Sequence, residues 1–370
     1  MAIRLLLVCF VSLLIAGCAA KPANIVGVDN PSNPAASVVG ATRQTVYIAT
    51  TRALADDPAV LFSGERDLET VHFAKVVVSV PPGHKLGNVE RPASVPPNPQ
   101  KDFVILEPQI FTGANQFKGH INKALGQRPP GQREILLFVH GYNTDLAAAV
   151  LRTAQFKHDS GFTGIPVVFS WASRGKTLDY VYDLNSALAA RDDLLETGEM
   201  LGRTRTEGLN IVAHSMGNFL TVEAMRQDQL EGDFNAYGKI RTIVLASPDI
   251  DADVFVTQLR RFPKSERKFY VLISKDDKAL AVSRRIAGGV DRVGEEEGTE
   301  LAKLGVTVID LTKVDNTSSL NHTKFANSPE LVQLIGKRMN EGDSFDDSQR
   351  RNVFQALPAA VKAVTDPGVL

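Results

Sequence analysis

Leu209-Asn210-Ile211-Val212-Ala213-His214-Ser215-Met216-Gly217-Asn218-Phe219-Leu220 sets a single serine between a strand-like run and a helix-like run. A strand that turns into a helix through a serine is the setting in which a G-x-S-x-G elbow exposes its hydroxyl on a strained turn, leaving the next residue's N–H, here that of Met216, as an oxyanion donor. The first glycine of that pattern is Ala213 here, while Gly217 is kept. Small residues are needed at both places because the turn brings strand and helix close together, and alanine adds only one methyl. Ser215 therefore reads either as a nucleophile or as a helix cap, a position serine also favours. A serine hydroxyl is a weak nucleophile at neutral pH, so the first reading requires a base, a group that orients the base and oxyanion donors, most of them from elsewhere in the chain.

Working outward, Ile135–Val139, Val167–Ser170, Leu209–Val212, Ile243–Leu245, Phe269–Ile273 and Val306–Ile309 are short apolar runs of the kind buried on both faces of a parallel sheet. Most are separated by segments long enough for a crossover helix, such as Thr144–His158 and Leu178–Leu201. The alternation predicts an α/β fold with a mostly parallel, doubly wound sheet. Before it come Val46–Thr50, His72–Val80 and Phe103–Phe111, separated by Pro and Gly clusters, which predict antiparallel N-terminal strands. Ligands of such sheets bind beyond the carboxyl ends of the strands, so the chemistry should lie just after each apolar run.

Each partner of Ser215 has a candidate there. Directly after Ile135–Val139 stands His140-Gly141-Tyr142-Asn143, where Gly141 permits a sharp turn and the Tyr142 amide can serve as the second oxyanion donor, with the His140 ring buttressing the loop. After Phe269–Ile273 stand Asp276 and Asp277, either of which can also cap the helix that follows. Asp277 is preferred as the orienting acid because its distance from the strand end suits a turn carrying a carboxylate back over the sheet edge. Asp276 is second, and Asp249 and Asp251 after the preceding strand are third. His322 is the only histidine downstream of Ser215 and follows the last strand, which completes the chain order Ser, Asp, His.

These stretches resemble the α/β-hydrolase fold, and more closely a bacterial family of alpha/beta hydrolases of uncharacterised function. The matching segments are VYIATTR, FVHGYNTD, FSWASRG followed by YVYDLNSALAARDDL, AHSMG, LASPDIDADVF, SKDDKAL and NHTKF, spanning most of Val46–Phe325. The resemblance implies Ser215 as nucleophile, Asp277 as acid, His322 as base, and the amides of Tyr142 and Met216 as oxyanion hole. Besides Ala213, the chain departs from the family at Trp171-Ala172-Ser173, where Trp-Pro-Ser is more usual; the triad is untouched, but the wall of the site can differ. Trp171 reads as a lining or a packing residue. The expected reaction is carboxylic ester hydrolysis through an acyl-enzyme. Peptidase or acyltransferase chemistry on the same triad, or a non-catalytic envelope scaffold, are the alternatives. Neither H-E-x-x-H nor paired cysteines occur, and no metal or cofactor is expected.

The ends of the chain bear on location. MAIRLLLVCFVSLLIAGCAA has one positive charge, an apolar run and small residues before Cys18, the form of an export signal. Its Ile15-Ala16-Gly17-Cys18 resembles the lipobox of bacterial lipoproteins, which implies cleavage after residue 17, lipidation of Cys18 and a membrane-anchored protein, at the outer membrane or in the periplasm of a Gram-negative source. Cys9 lies inside the signal, so the mature chain has no cysteine pair for a disulfide. Residues 18–43 read as a tether, 44–342 as the hydrolase domain and 343–370 as a peripheral tail. The domain has no inserted cap, so an open cleft is expected. With 22% charged residues, a net charge of -1 and no basic block, the chain has nothing to neutralise a row of phosphates, so nucleic acid is not expected as a partner and a small-molecule or lipid ester is.

Overall fold

A computed structural model describes residues 24–267, 269–315, 320–341 and 361–364. The proposed signal, Cys9, Cys18 and most of the tail lie outside the described residues. The chain runs β1 (Thr42–Thr50), β2 (Arg52–Leu54), β3 (Phe62–Arg66), β4 (His72–Val80), β5 (Val104–Phe111), α1 (Ala114–Gly126), β6 (Glu134–Val139), α2 (Leu146–Ser160), β7 (Ile165–Ser170), α3 (Tyr180–Ala189), α4 (Arg191–Gly202), β8 (Gly208–His214) and α5 (Met216–Glu231). It continues through β9 (Ile240–Ala246), α6 (Ala252–Leu259), β10 (Phe269–Ile273), α7 (Lys278–Ile286), α8 (Gly298–Lys303), β11 (Thr307–Asp310), α9 (Lys324–Asn327), α10 (Pro329–Asn340) and β12 (Lys362–Val364).

Ten of these strands form one sheet in the order β12-β11-β10-β9-β8-β6-β7-β1-β4-β5, and β2 and β3 pair apart from it. The six apolar runs form the parallel centre, β6 to β11. β1 runs parallel to β7 and antiparallel to β4, which makes the N-terminal strands the antiparallel edge that the sequence predicts. The pleat explains why the central runs lack a polar face. In β6, Ile135, Leu137 and Val139 enter a core shared with Phe117, Leu194 and Leu220, while Leu136 and Phe138 enter the other, shared with Val150, Phe156 and Phe325. Helices α1, α4 and α5 thus cover one face, and α2 and α9 the other. No helix among the described residues is long and apolar enough to cross a membrane.

Three local readings change. Part of the stretch read as tether packs on the body: Val26 is buried, its amide reaches Ala59 O at 2.6 Å, and the Gly27 amide reaches Ile105 O at 2.8 Å. The segment 178–201 is two helices, α3 and α4, divided at Ala190. At the far edge, β12 from the tail pairs antiparallel with β11.

Candidate active site

Ser215 joins β8 to α5 with φ 54° and ψ -125°, a left-handed backbone that costs a non-glycine residue about 1–3 kcal/mol and persists only where its surroundings impose it. Those surroundings are visible. The Ser215 amide donates to Ala246 O at 3.0 Å, and the Ser215 carbonyl accepts from Asn218 N and from Asn218 Nδ2, both at 3.0 Å, and from Asp249 N at 3.2 Å. The serine side chain caps nothing, so the cap reading fails. Gly217 is required by the elbow, because a Cβ there would stand 2.3 Å from His140 O. Gly141 faces Ser215 itself, where a Cβ would stand 2.7 Å from Ser215 Cβ. Only the missing side chains let strand, loop and helix meet.

His322 follows β11 and turns its ring onto His214, the residue before Ser215, at 4.7 Å between centroids, while His214 Nε2 contacts the His322 carbonyl at 3.1 Å. His322 Nδ1 pairs with Asp277 Oδ2 at 2.7 Å. With Nδ1–H donating to the carboxylate, Nε2 is left as the basic nitrogen. Asp277 is fully buried and uses its other oxygen to cap α7, accepting from Ala279 N at 3.0 Å and Leu280 N at 3.1 Å. The carboxylate that faces His322 and the one that caps the helix are thus one residue here.

The rival aspartates are engaged elsewhere. Asp276 accepts from the buried Lys324 Nζ at 2.7 and 2.9 Å and from Asn321 Nδ2 at 2.9 Å. Burial alone would raise the Asp276 carboxyl, but the hydrogen bonds from Lys324 and Ser274 carry it below the usual range. Lys324 also donates to the carbonyls of Leu311 and Thr312, so Asp276 ties down the loop that carries His322. Asp249 accepts from Ser283 Oγ at 2.6 Å and from Tyr180 OH at 3.2 Å, and Asp251 caps α6.

The two remaining sequence candidates are the Tyr142 amide, in the loop after β6, and the Met216 amide, at the start of α5. Among the described residues, neither the Tyr142 amide nor the Met216 amide has a hydrogen-bond acceptor. Beneath the loop, His140 stacks on Trp171 at 4.9 Å and 17°, with Trp171 Nε1 donating to His140 O at 2.8 Å. Burial, and then the Arg52 guanidinium, push His140 down to about 3, so its ring stays neutral. Trp171 is fully buried: of the two roles the sequence allows it, the structure shows packing.

Sequence reasoning missed the polar lattice that fixes this loop. Arg52, 1% exposed, donates to Ser170 Oγ at 2.8 Å and to the carbonyls of Ser173 and Thr144, both at 2.7 Å. Asp183, fully buried, accepts from Ser173 Oγ at 2.6 Å and from the amides of Asn143 and Arg174 at 3.0 Å. Ser173 Oγ in turn accepts from Thr144 N at 2.9 Å. Asn143 has φ 55°, so the residue after the Tyr142 amide is itself held in a left-handed turn by Asp183. The available signal was a lone arginine ending the apolar run VYIATT and a lone aspartate in the apolar helix YVYDLNSALA.

The family model described as "Alpha/beta hydrolase of unknown function (DUF900)" matches residues 114–338. No curated protein matches the sequence. Solved structures similar to this chain include an esterase from Pyrobaculum calidifontis at 9% identity, with 82% of this chain and 86% of that chain covered and a TM-score of 0.35. A variant of the esterase rPPE is similar at 13% identity, covering 85% and 88% with a TM-score of 0.38. An inhibited esterase B from Lactobacillus rhamnosis is similar at 10% identity, covering 87% and 92% with a TM-score of 0.36.

Proposed function

The chain belongs to this family of α/β hydrolases of unknown function, and from that premise we propose that it is a serine hydrolase cleaving a carboxylic ester through an acyl-enzyme. Ser215 attacks the ester carbonyl, and His322 Nε2 takes its proton and returns it to the leaving alcohol. Asp277 holds the imidazole and balances its transient charge, and the amides of Tyr142 and Met216 receive the oxyanion. Water then repeats the sequence on the acyl-enzyme. The observation that carries this reading is the 2.7 Å Asp277–His322 pair, whose ring lies on the residue next to a serine in elbow conformation.

The N-terminal sequence supports the rest of the reading. The protein is exported, lipidated on Cys18 and held at a membrane of the cell envelope, where a small-molecule or lipid ester is its substrate. Labelling by a fluorophosphonate, lost in Ser215→Ala and His322→Ala, tests the chemistry. A folded wild-type protein that takes no label rejects it. A series of p-nitrophenyl esters of increasing acyl length then identifies the substrate class.

A further inference from the structure

A cavity lies far from Ser215. It has a volume of about 270 Å³, lies between α4, α5 and the loop 233–239, and opens to solvent. Leu209 and Ile240, at the starts of β8 and β9, line it, so it sits at the end of the sheet opposite the elbow. Asp228 on its wall is twelve residues beyond Met216, about 18 Å along α5. The volume falls just below the ~300–1,000 Å³ of pockets for drug-sized ligands, which suits a smaller molecule.

The walls are apolar, with Leu137, Leu194, Ile211 and Met225 among them. Gly198, in the middle of α4, also faces the space, and a Cβ there would meet nothing within 4 Å. Glycine is a poor helix former, and no close neighbour demands it at this site. The notch it leaves is room within the cavity.

The polar feature is Asp228, 8% exposed. Among the described residues no cation pairs with it. Glu199 of α4, Glu231 of α5 and Asp233 of the loop act against its charge instead, and the Asn235 amide favours it. Arg203 and Lys239 line the same cavity, but Arg203 is engaged by Tyr237 OH and Glu199, both at 2.6 Å. Burial first, and the three acids after it, raise the Asp228 carboxyl to about 6. A buried carboxylate without a counter-charge is an uncompensated cost. A ligand bringing a cation removes that cost, whereas an anionic head placed on Asp228 would also meet Glu199 and Asp233 of the lining.

We infer that this cavity is a second ligand site, distinct from the ester-cleaving site, and that it takes a small alkylammonium amphiphile, with its chain against the apolar walls and its ammonium on Asp228.

The test is calorimetric titration of n-octylammonium, below its micellar concentration, into the purified protein carrying Ser215→Ala. Octanol and octanoate serve as comparators of equal chain length. The expected result is one octylammonium per chain, bound at least tenfold more tightly than octanol and tighter still than octanoate. Asp228→Asn erases the preference over octanol, and Gly198→Leu, which fills the notch, abolishes binding. If Gly198→Leu fails to fold, the nearly isosteric Asp228→Asn decides alone. Absence of octylammonium binding, binding no tighter than that of octanol, or a preference unchanged in Asp228→Asn each overturns the inference. Because the nucleophile is absent throughout, neither result depends on ester cleavage.

Discussion

Asp183→Asn separates a loop that shapes itself from a loop shaped by what lies beneath it. The carboxylate of Asp183 accepts from Ser173 Oγ and Asn143 N on one oxygen and from Arg174 N on the other. Asparagine retains a single acceptor. Whichever way its amide is turned, its NH2 group faces a backbone N–H, that of Asn143 or that of Arg174. One hydrogen bond to a charged group, worth about 1.5–3 kcal/mol, is lost, and a buried donor is left unmatched. The fully buried Arg52 also loses one of the two carboxylates, Asp145 and Asp183, that offset its desolvation. Breaking a directly paired buried ion pair costs about 3–5 kcal/mol. Asp183 and Arg52 interact through Ser173 and Thr144 rather than by direct contact, so the low end applies, about 3 kcal/mol in all.

The kinetic consequence follows from position. Asn143 N, held by Asp183, belongs to the peptide beside Tyr142, so its release lets the proposed oxyanion donor move. Complete loss of such a donor costs about 10²–10³ in kcat, and displacement should therefore lower kcat by about 10–10² with KM little changed. Urea denaturation gives the stability term, and initial rates on p-nitrophenyl acetate, well below the unfolding transition, give the kinetic one. A variant that loses stability but keeps its kcat would show that the loop holds its shape without Asp183. A variant that loses neither would refute the lattice as a whole.

Asp277→Ala should lower kcat by about 10⁴ with a smaller change in stability. Asp276→Ala should lower kcat by less than about 10² and cost about 1.5–3 kcal/mol of stability, because Lys324 loses its charged acceptor and keeps only the carbonyls of Leu311 and Thr312; esterase kinetics and denaturation of both variants would expose a reversed ranking. Gly217→Ala should cost at least about 3 kcal/mol or prevent folding, since its Cβ has backbone 2.3 Å away, and an unchanged Tm would contradict the close approach. His84 ties the loop 81–90 to α2 through Asp159 at 2.8 Å, and pairs within the loop with Glu90 at 2.7 Å. Burial opposes its charge, but the two carboxylates raise it above 6.5. The stabilisation is then full below about pH 6.5 and is lost as pH rises through the raised folded value. The stability gap between wild type and His84→Gln should shrink across that window, and a gap independent of pH would show that the tie carries no charge.

The parallel sheet was legible because its strands are buried on both faces, which leaves continuous apolar runs that few other structures explain. That Ser215, Asp277 and His322 each follow a strand end was legible for a related reason: linear order maps onto the carboxyl ends of the strands. Neighbours the sequence could rank, Asp277 before Asp276, but not assign to their partners. Asp276 and Asp277 differ by one position, and only the turn decides that one carboxylate faces His322 and the other Lys324. Residues joined by long loops were also hidden. Arg52 meets Ser170 and Thr144 across 118 and 92 positions, and no periodicity announces such a meeting. The packing of Val26 and the three-residue β12 escaped because each is too short to show a repeat.

The hidden residues share a physical role with the visible ones. Among the non-glycine residues with left-handed backbones at the site are Ser215 and Asn143, each costing about 1–3 kcal/mol unless its surroundings enforce it. Ser215 is enforced by Ala246, Asn218 and Asp249, and Asn143 by Asp183. The hydroxyl-bearing turn and the amide-bearing turn are therefore strained independently and restrained by different elements, β9 with α5 for one and α3 for the other. Strain held on both sides means that the gap between hydroxyl and amides is set before any substrate arrives. Loosening either side should thus lower kcat without the other side moving.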